Sequence, residues 1–159
     1  QLDAVLDEIG YAPCAREAVS AARDAGAAVA LISSGLSFLA SRVARDLGIS
    51  HVFANELSMC DELMTGEVVI NVSIDDPART KGAILGQLRR VFGADLAETW
   101  AVGDNWGDID MLQEAGHAFL VAPRPACAAR ALQAAPHVEC IPDLCHLVRL
   151  IREVGVHTG

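Results

Sequence analysis

Residues 102–112 read "VGDNWGDIDML", and three aspartates, Asp104, Asp108 and Asp110, crowd together directly after the apolar run Trp100, Ala101, Val102. Like charges this close repel one another unless something positive lies among them, and a divalent cation is the usual physical reason for such a cluster. The apolar run reads as a strand and Met111 and Leu112 as part of a helix, so the carboxylates sit on a strand–turn–helix join. Asp104 lies one residue beyond Gly103 at the strand tip, and Asp108 four further on. That spacing lets both carboxylates return to one point across a tight turn. Asp108 also suits the N-cap of the helix and Asp104 a turn former; for Asp108 the cap and metal readings are compatible. Asp110 is expected to face solvent.

Outward from this join the chain repeats helix then strand. Helices are expected over 13–25, 36–47, 78–92, 108–115, 126–134 and 143–153. The third begins around Lys81 and should bury Ile84, Leu85, Leu88 and Val91. Strands are expected at 27–32, 51–55, 99–104, 118–122 and 138–141. Over 57–74, alternation around Thr65 and Gly66 suggests a small antiparallel ribbon. Strands and helices alternating through short loops predict an α/β fold of three layers with a mostly parallel sheet. The expected core is 11–155, with 1–10 a remnant of a cap or linker and 156–159 a tail.

Composition agrees. The chain has 159 residues, 52% hydrophobic and 4% aromatic, so its core must be mostly Ala, Val, Leu and Ile. That suits helices packed on a buried parallel sheet. A net charge of −9 argues against nucleic acid or an anionic membrane surface as partner. A phosphorylated small molecule is not excluded, because one pocket can be locally positive. No apolar run approaches the ~18 residues that span a bilayer, and no signal peptide is visible. Five cysteines, at 14, 60, 127, 140 and 145, form no close-set pairs and read as reduced thiols of a cytoplasmic protein. The group His137, Cys140, Cys145, His146 lacks C-x2-C spacing and reads as core thiols rather than a zinc site. The first residue is Gln, so the chain opens as though cut from something longer.

Two further features bear on chemistry. Ser33-Ser34-Gly35 ends the strand at 27–32, and in parallel sheets ligands bind at the carboxyl ends of strands. A hydroxyl, a flexible backbone and the amides of the next helix could cradle an anion, although Ser-Ser-Gly there also serves as a helix cap. Lys81 starts a helix, where the dipole prefers a negative group. That local inconsistency marks a functional candidate; otherwise Lys81 is a solvated surface lysine.

Together these residues resemble a known set. Strand-Ser33-Ser34-Gly35, the Lys81-Gly82 step and Gly103-Asp104-xxx-Asp108 look like motifs two, three and four of the haloacid dehalogenase-like hydrolase superfamily. The likeness is greatest to its phosphoserine phosphatase-like branch, through "VFANELS", "LMTGEV", "TKGAIL" and "AVGDNWGDIDMLQEAG". The resemblance implies a Rossmann-like core and Mg²⁺-dependent hydrolysis of a small phosphorylated metabolite through an aspartyl-phosphate. It implies that Ser33, Ser34, Gly35 and Lys81 bind the phosphoryl group, with Ser33 and Lys81 acting in catalysis. It makes Asp104 a metal ligand and gives Asp108 a supporting place at the metal, directly or through water.

The chain departs from the pattern in two ways. The family's first motif, Asp-x-Asp-x-Thr or Val after an apolar strand, is found nowhere in these residues, and most of the cap is missing with it. The strands ending at Ser33 and Asp104 would then lack a neighbour between them, and unpaired edges invite self-association. Gly107 stands where the branch carries Asn, and Trp106 adds bulk, which puts phosphoserine itself in doubt as substrate. Three readings follow: an active phosphatase whose nucleophile lies upstream; a non-catalytic domain binding phosphate, metal or a protein partner; or a phosphotransferase or dehalogenase. Intact second, third and fourth motifs favour the first. A dehalogenase needs no metal and leaves Asp104 and Asp108 unexplained.

Overall fold

A computed structural model describes residues 9–61 and 63–156. Residues 1–8 of the expected cap remnant and 157–159 of the expected tail lie outside them. In chain order the elements are α1 (Ala15–Asp24), β1 (Ala30–Leu36), α2 (Ser37–Leu47), β2 (His51–Cys60) and β3 (Leu63–Val69). There follow α3 (Lys81–Phe92), β4 (Trp100–Gly103), α4 (Ile109–Gln113), β5 (His117–Val121), α5 (Pro125–Ala134), β6 (Glu139–Ile141) and α6 (Leu144–Val156). Single 3-10 turns, Leu96–Glu98 and Trp106–Asp108, precede β4 and α4. The chain divides into two compact units, Gln1–Val69 with Asp143–Gly159, and Ile70–Pro142.

The first unit holds a mixed sheet of order β1-β2-β3. β1 and β2 run parallel, Ala30 opposite His51 and Ile32 opposite Phe53, and the register slips between Ile32 and Leu36. β1 therefore continues through Ser33–Gly35 as a bulge, where the sequence suggested that the strand stops at 32. β2 runs on past its expected end to pair antiparallel with β3, Glu56 opposite Val69 and Cys60 opposite Leu63, which is the expected ribbon. The helices bury small faces: Ala18 and Ala21 in α1, Ala40 and Ala44 in α2, Leu147 and Val148 in α6. α2 ends at Gly48, whose φ of 71° is the left-handed cap that glycine adopts without penalty.

α1 packs on α6, and a disulfide joins Cys14 to Cys145 with Cα atoms 5.1 Å apart. This corrects the reading of the five cysteines as reduced thiols, and of Cys145 as a core thiol. The two lie 131 residues apart in sequence, so only the pairing of two helices brings them together. With one pair bridged, the cysteine count no longer argues for a reducing compartment. Nor is Cys140 a core thiol, because it is exposed. His137 Nε2 instead contacts the carbonyls of Leu112 and Ala115, at 3.2 and 2.9 Å.

The second unit is built on a parallel sheet of order β4-β5-β6. Trp100 lies opposite His117, Gly103 opposite Leu120 and Leu120 opposite Cys140. Leu112, Leu120 and Ala131 are fully buried, and Ile141 and Phe119 nearly so. α3 packs on α4, burying Ile84 and half-burying Leu85 and Leu88 as expected. Val91, expected in the same face, is 78% exposed. The reason is length: five-residue α4 extends only ~7.5 Å and cannot reach the last turn of twelve-residue α3. Among the described residues, no helix is long and apolar enough to cross a membrane.

Candidate functional site

In the second unit the turn after β4 is organised around one buried carboxylate. Asp108 is 3% exposed. Its Oδ2 accepts the backbone N–H groups of Asp104 at 3.0 Å and Asn105 at 3.1 Å. Its Oδ1 meets the Lys81 ammonium at 2.5 Å, with the lysine side chain only 15% exposed. A carboxylate is costly to bury unless paired and hydrogen-bonded, and here both conditions hold. The turn closes so tightly that a Cβ on Gly103 would lie 2.8 Å from Asp108 Cγ.

The other two aspartates do different work. Asp104 is exposed, and its Oδ1 accepts one bond, from Asn105 Nδ2 at 2.9 Å. Asp110, expected to face solvent, is half-buried, and its Oδ2 accepts the N–H of Gly82 at 2.9 Å. That corrects the solvent assignment: α4 lies against the start of α3, and a carboxylate there satisfies a helix amide that has no partner within the helix. So the cluster is not three carboxylates awaiting one cation. Lys81 neutralises Asp108, a helix N-terminus takes Asp110, and Asp104 is left facing outward.

Lys81 is thereby drawn into the site, in place of the solvated surface lysine it could have been. Thr80 caps α3, its Oγ1 accepting from Ala83 N–H at 3.1 Å. The Asn105 side chain is held inside the turn, its Oδ1 taking Gly107 N–H at 2.8 Å. Trp106 is 54% exposed and carries the Arg130 guanidinium 5.5 Å above its ring.

Magnesium prefers six oxygens in an octahedron, usually one or two carboxylates plus waters. Asp104 fits as one such carboxylate. Both Asp108 oxygens already have partners, so Asp108 fits as a support that orients the Asp104 backbone. Among the described residues, no three His, Cys, Asp or Glu side chains converge as a metal-ready group.

In the first unit, Ser33 Oγ accepts the N–H of Gly35 at 3.1 Å, and the carbonyl of Ser34 accepts from Asn55 Nδ2 at 2.9 Å. Ser34 and Gly35 are exposed and Ser33 half-buried. α2 begins at Ser37 with no side-chain cap, so neither Ser33 nor Ser34 is the helix cap that one reading made it.

The profile of the haloacid dehalogenase-like hydrolases matches residues 1–113. The chain belongs to that family. Its relatives place it in the phosphoserine phosphatase-like branch. It is 29% identical over 140 residues to the phosphoserine phosphatase of Methanocaldococcus jannaschii, covering 88% of this chain and 60% of that one. To the phosphoserine phosphatase of Streptococcus thermophilus it is 30% identical over 151 residues, covering 95% of this chain and 67% of the relative. A solved phospho-aspartyl intermediate analogue of phosphoserine phosphatase superposes with a TM-score of 0.78 at 27% identity, covering 94% of this chain and 68% of that one. A substrate-bound phosphoserine phosphatase complex gives 0.78 at 26%, covering 94% and 68%. The chain thus spans about two thirds of the length of these relatives, and its α/β fold is that of the haloacid dehalogenase-like phosphatases.

Sequence reasoning missed Asp110 and Asn105. Asn105 carried no distinctive signal. Asp110 did: it stands two residues from a residue assigned to the site, and the Gly82 beside Lys81 hinted at a close approach. A further signal was plain composition, since Lys81 is the chain's single lysine among twelve basic residues.

Proposed function

We propose that the chain is the core of a phosphomonoester hydrolase, in which Lys81 and the Asp104–Asp108 turn place charge at the transferring phosphoryl group. The observation that carries this is the Lys81 ammonium, 2.5 Å from buried Asp108, beside an exposed Asp104, in a member of a hydrolase family. Phosphoryl transfer depends on positioning and on stabilising charge at the phosphoryl oxygens, which an ammonium and backbone amides can supply. Asp104 would hold Mg²⁺, and Asp108 would support it by fixing the Asp104 main chain. The ion, when bound, would neutralise charge at the phosphoryl oxygens. Ser33, Ser34 and Gly35 would bind a phosphoryl group through the Ser33 hydroxyl and the bulge amides. No residue of this chain is assigned as the nucleophile, because no Asp-x-Asp follows an apolar strand outside the 108–110 helix start.

The test is release of orthophosphate by the translated polypeptide that contains these residues, with Mg²⁺ and a panel of small phosphomonoesters including O-phosphoserine. Wild-type turnover should fall roughly a thousandfold in both Lys81→Ala and Asp104→Asn, while the 159 residues alone turn over nothing. Turnover that persists in Asp104→Asn would sink the proposal. A protein that binds orthophosphate yet hydrolyses no ester would instead be the non-catalytic domain. β1 and β4 each stand at the edge of their own sheet among the described residues, and such edges recruit further strands. Self-association through an edge would appear as a concentration-dependent mass in sedimentation.

A further inference from the structure

We infer that Asp110 is a positioning residue for Lys81: its carboxylate fixes the first turn of α3 and so the point from which the ammonium reaches Asp108. The consequence for turnover rests on the phosphatase reading; the positioning itself rests on geometry. Gly82 and Ala83 carry N–H groups that no carbonyl within α3 can satisfy. Thr80 Oγ1 takes Ala83 at 3.1 Å and Asp110 Oδ2 takes Gly82 at 2.9 Å, so the first turn is tied by one local and one distant acceptor. The two backbones touch at this point, since a Cβ on buried Gly82 would lie 2.6 Å from the Asp110 carbonyl oxygen. Lys81 precedes Gly82, and its ammonium ends on Asp108, two residues before Asp110. Both the main chain and the amine of Lys81 are therefore anchored to one short segment. The negative charge of Asp110 at the helix N-terminus also offsets an ammonium that the helix dipole disfavours there.

Lys81 is the single lysine among these 159 residues, and amine acetylation followed by mass spectrometry of the peptide that carries it reads its accessibility without any turnover. Asp110→Ala in the full polypeptide should raise the acetylation rate at Lys81 about tenfold, the equivalent of one lost hydrogen bond. It should lower kcat/KM for p-nitrophenyl phosphate by a similar factor. Asp110→Asn, whose amide oxygen still accepts the Gly82 N–H, should keep most of the protection and the activity. Gly82→Ala forces the backbones apart with the carboxylate intact and should reproduce the labelling change, which covers the case of an Asp110→Ala that fails to fold. Unchanged acetylation in the folded variants overturns the inference whatever turnover does. Faster acetylation in a protein that hydrolyses no phosphomonoester upholds the positioning and removes the phosphatase reading instead.

Discussion

The two strand-end turns proposed to act on phosphate, one in each unit, are built on different principles. At Ser33–Gly35 the hydroxyl bond is local, reaching two residues on, and one carbonyl reaches a neighbouring strand at Asn55. The turn after β4 is tied to α3 by bonds across 27 and 28 residues, through Lys81 to Asp108 and Gly82 to Asp110. The difference follows from burial. The solvent-exposed Ser33 hydroxyl bond can be exchanged for water at little cost, whereas a buried carboxylate must keep its cation and its amides. One turn is shaped by backbone geometry, the other by the energetics of a charge out of water.

That contrast can be tested by substitution, and the largest effect belongs to Lys81. Lys81→Met leaves Asp108 buried without its cation and should cost roughly 3 kcal/mol, read from the urea midpoint. A loss below ~1 kcal/mol would mean that the two backbone amides alone suffice for Asp108. Gly103→Ala comes next, because its Cβ would collide with Asp108. We expect about 2 kcal/mol by the same measurement, as overpacking of a tight contact gives. In the other unit, Asn55→Ala removes a side-chain tie from β2 to the bulge and should cost about 1 kcal/mol. Ser33→Ala should change stability by under ~0.5 kcal/mol, since water replaces the local bond. If the hydroxyl binds the phosphoryl group, the same variant nonetheless loses about a hundredfold in kcat/KM. Stability and activity would then be separated in the first turn and joined in the second.

The smallest effect lies on the first unit's surface. The Tyr11 hydroxyl donates to Asp46 Oδ2 at 2.6 Å. This bond, followed by the charges of Arg45 and Arg42, holds the Asp46 carboxyl below its ordinary range. A carboxyl depressed in the folded state adds stability above its unfolded pKa and loses it as pH falls through the folded value. Tyr11→Phe should therefore lower the thermal midpoint slightly at neutral pH and make no difference in strong acid. A gap that widens on acidification would contradict the assignment. Because the pair is solvent-exposed, the shift should also shrink at high salt.

Most of the fold was legible because it is written locally. Trp100–Val102, His117–Val121 and the alanine stripes of α1 and α2 carry their period and burial in adjacent residues. Asp104, Asp108 and Lys81 were legible as a set because a carboxylate cluster and a helix that starts with lysine are each chemically odd. Asp110 was legible only as a neighbour of that set, since nothing near it in sequence shows the amide it accepts, which lies 28 residues back. Val91 was placed in the core by periodicity that is correct for the helix. The shortness of its partner α4 decided otherwise.

By itself, then, the sequence determined the alternation of helices and strands, the turn residues at strand tips and the family that those turns resemble. These depend on periodicity and on residue chemistry within a few positions. Tertiary structure alone decided which aspartate is buried on Lys81, which one holds the start of α3 and which one faces outward. It also decided that Cys14 and Cys145 meet. Each of these outcomes turns on the approach of segments far apart in the chain, and desolvation acts on whatever that approach encloses.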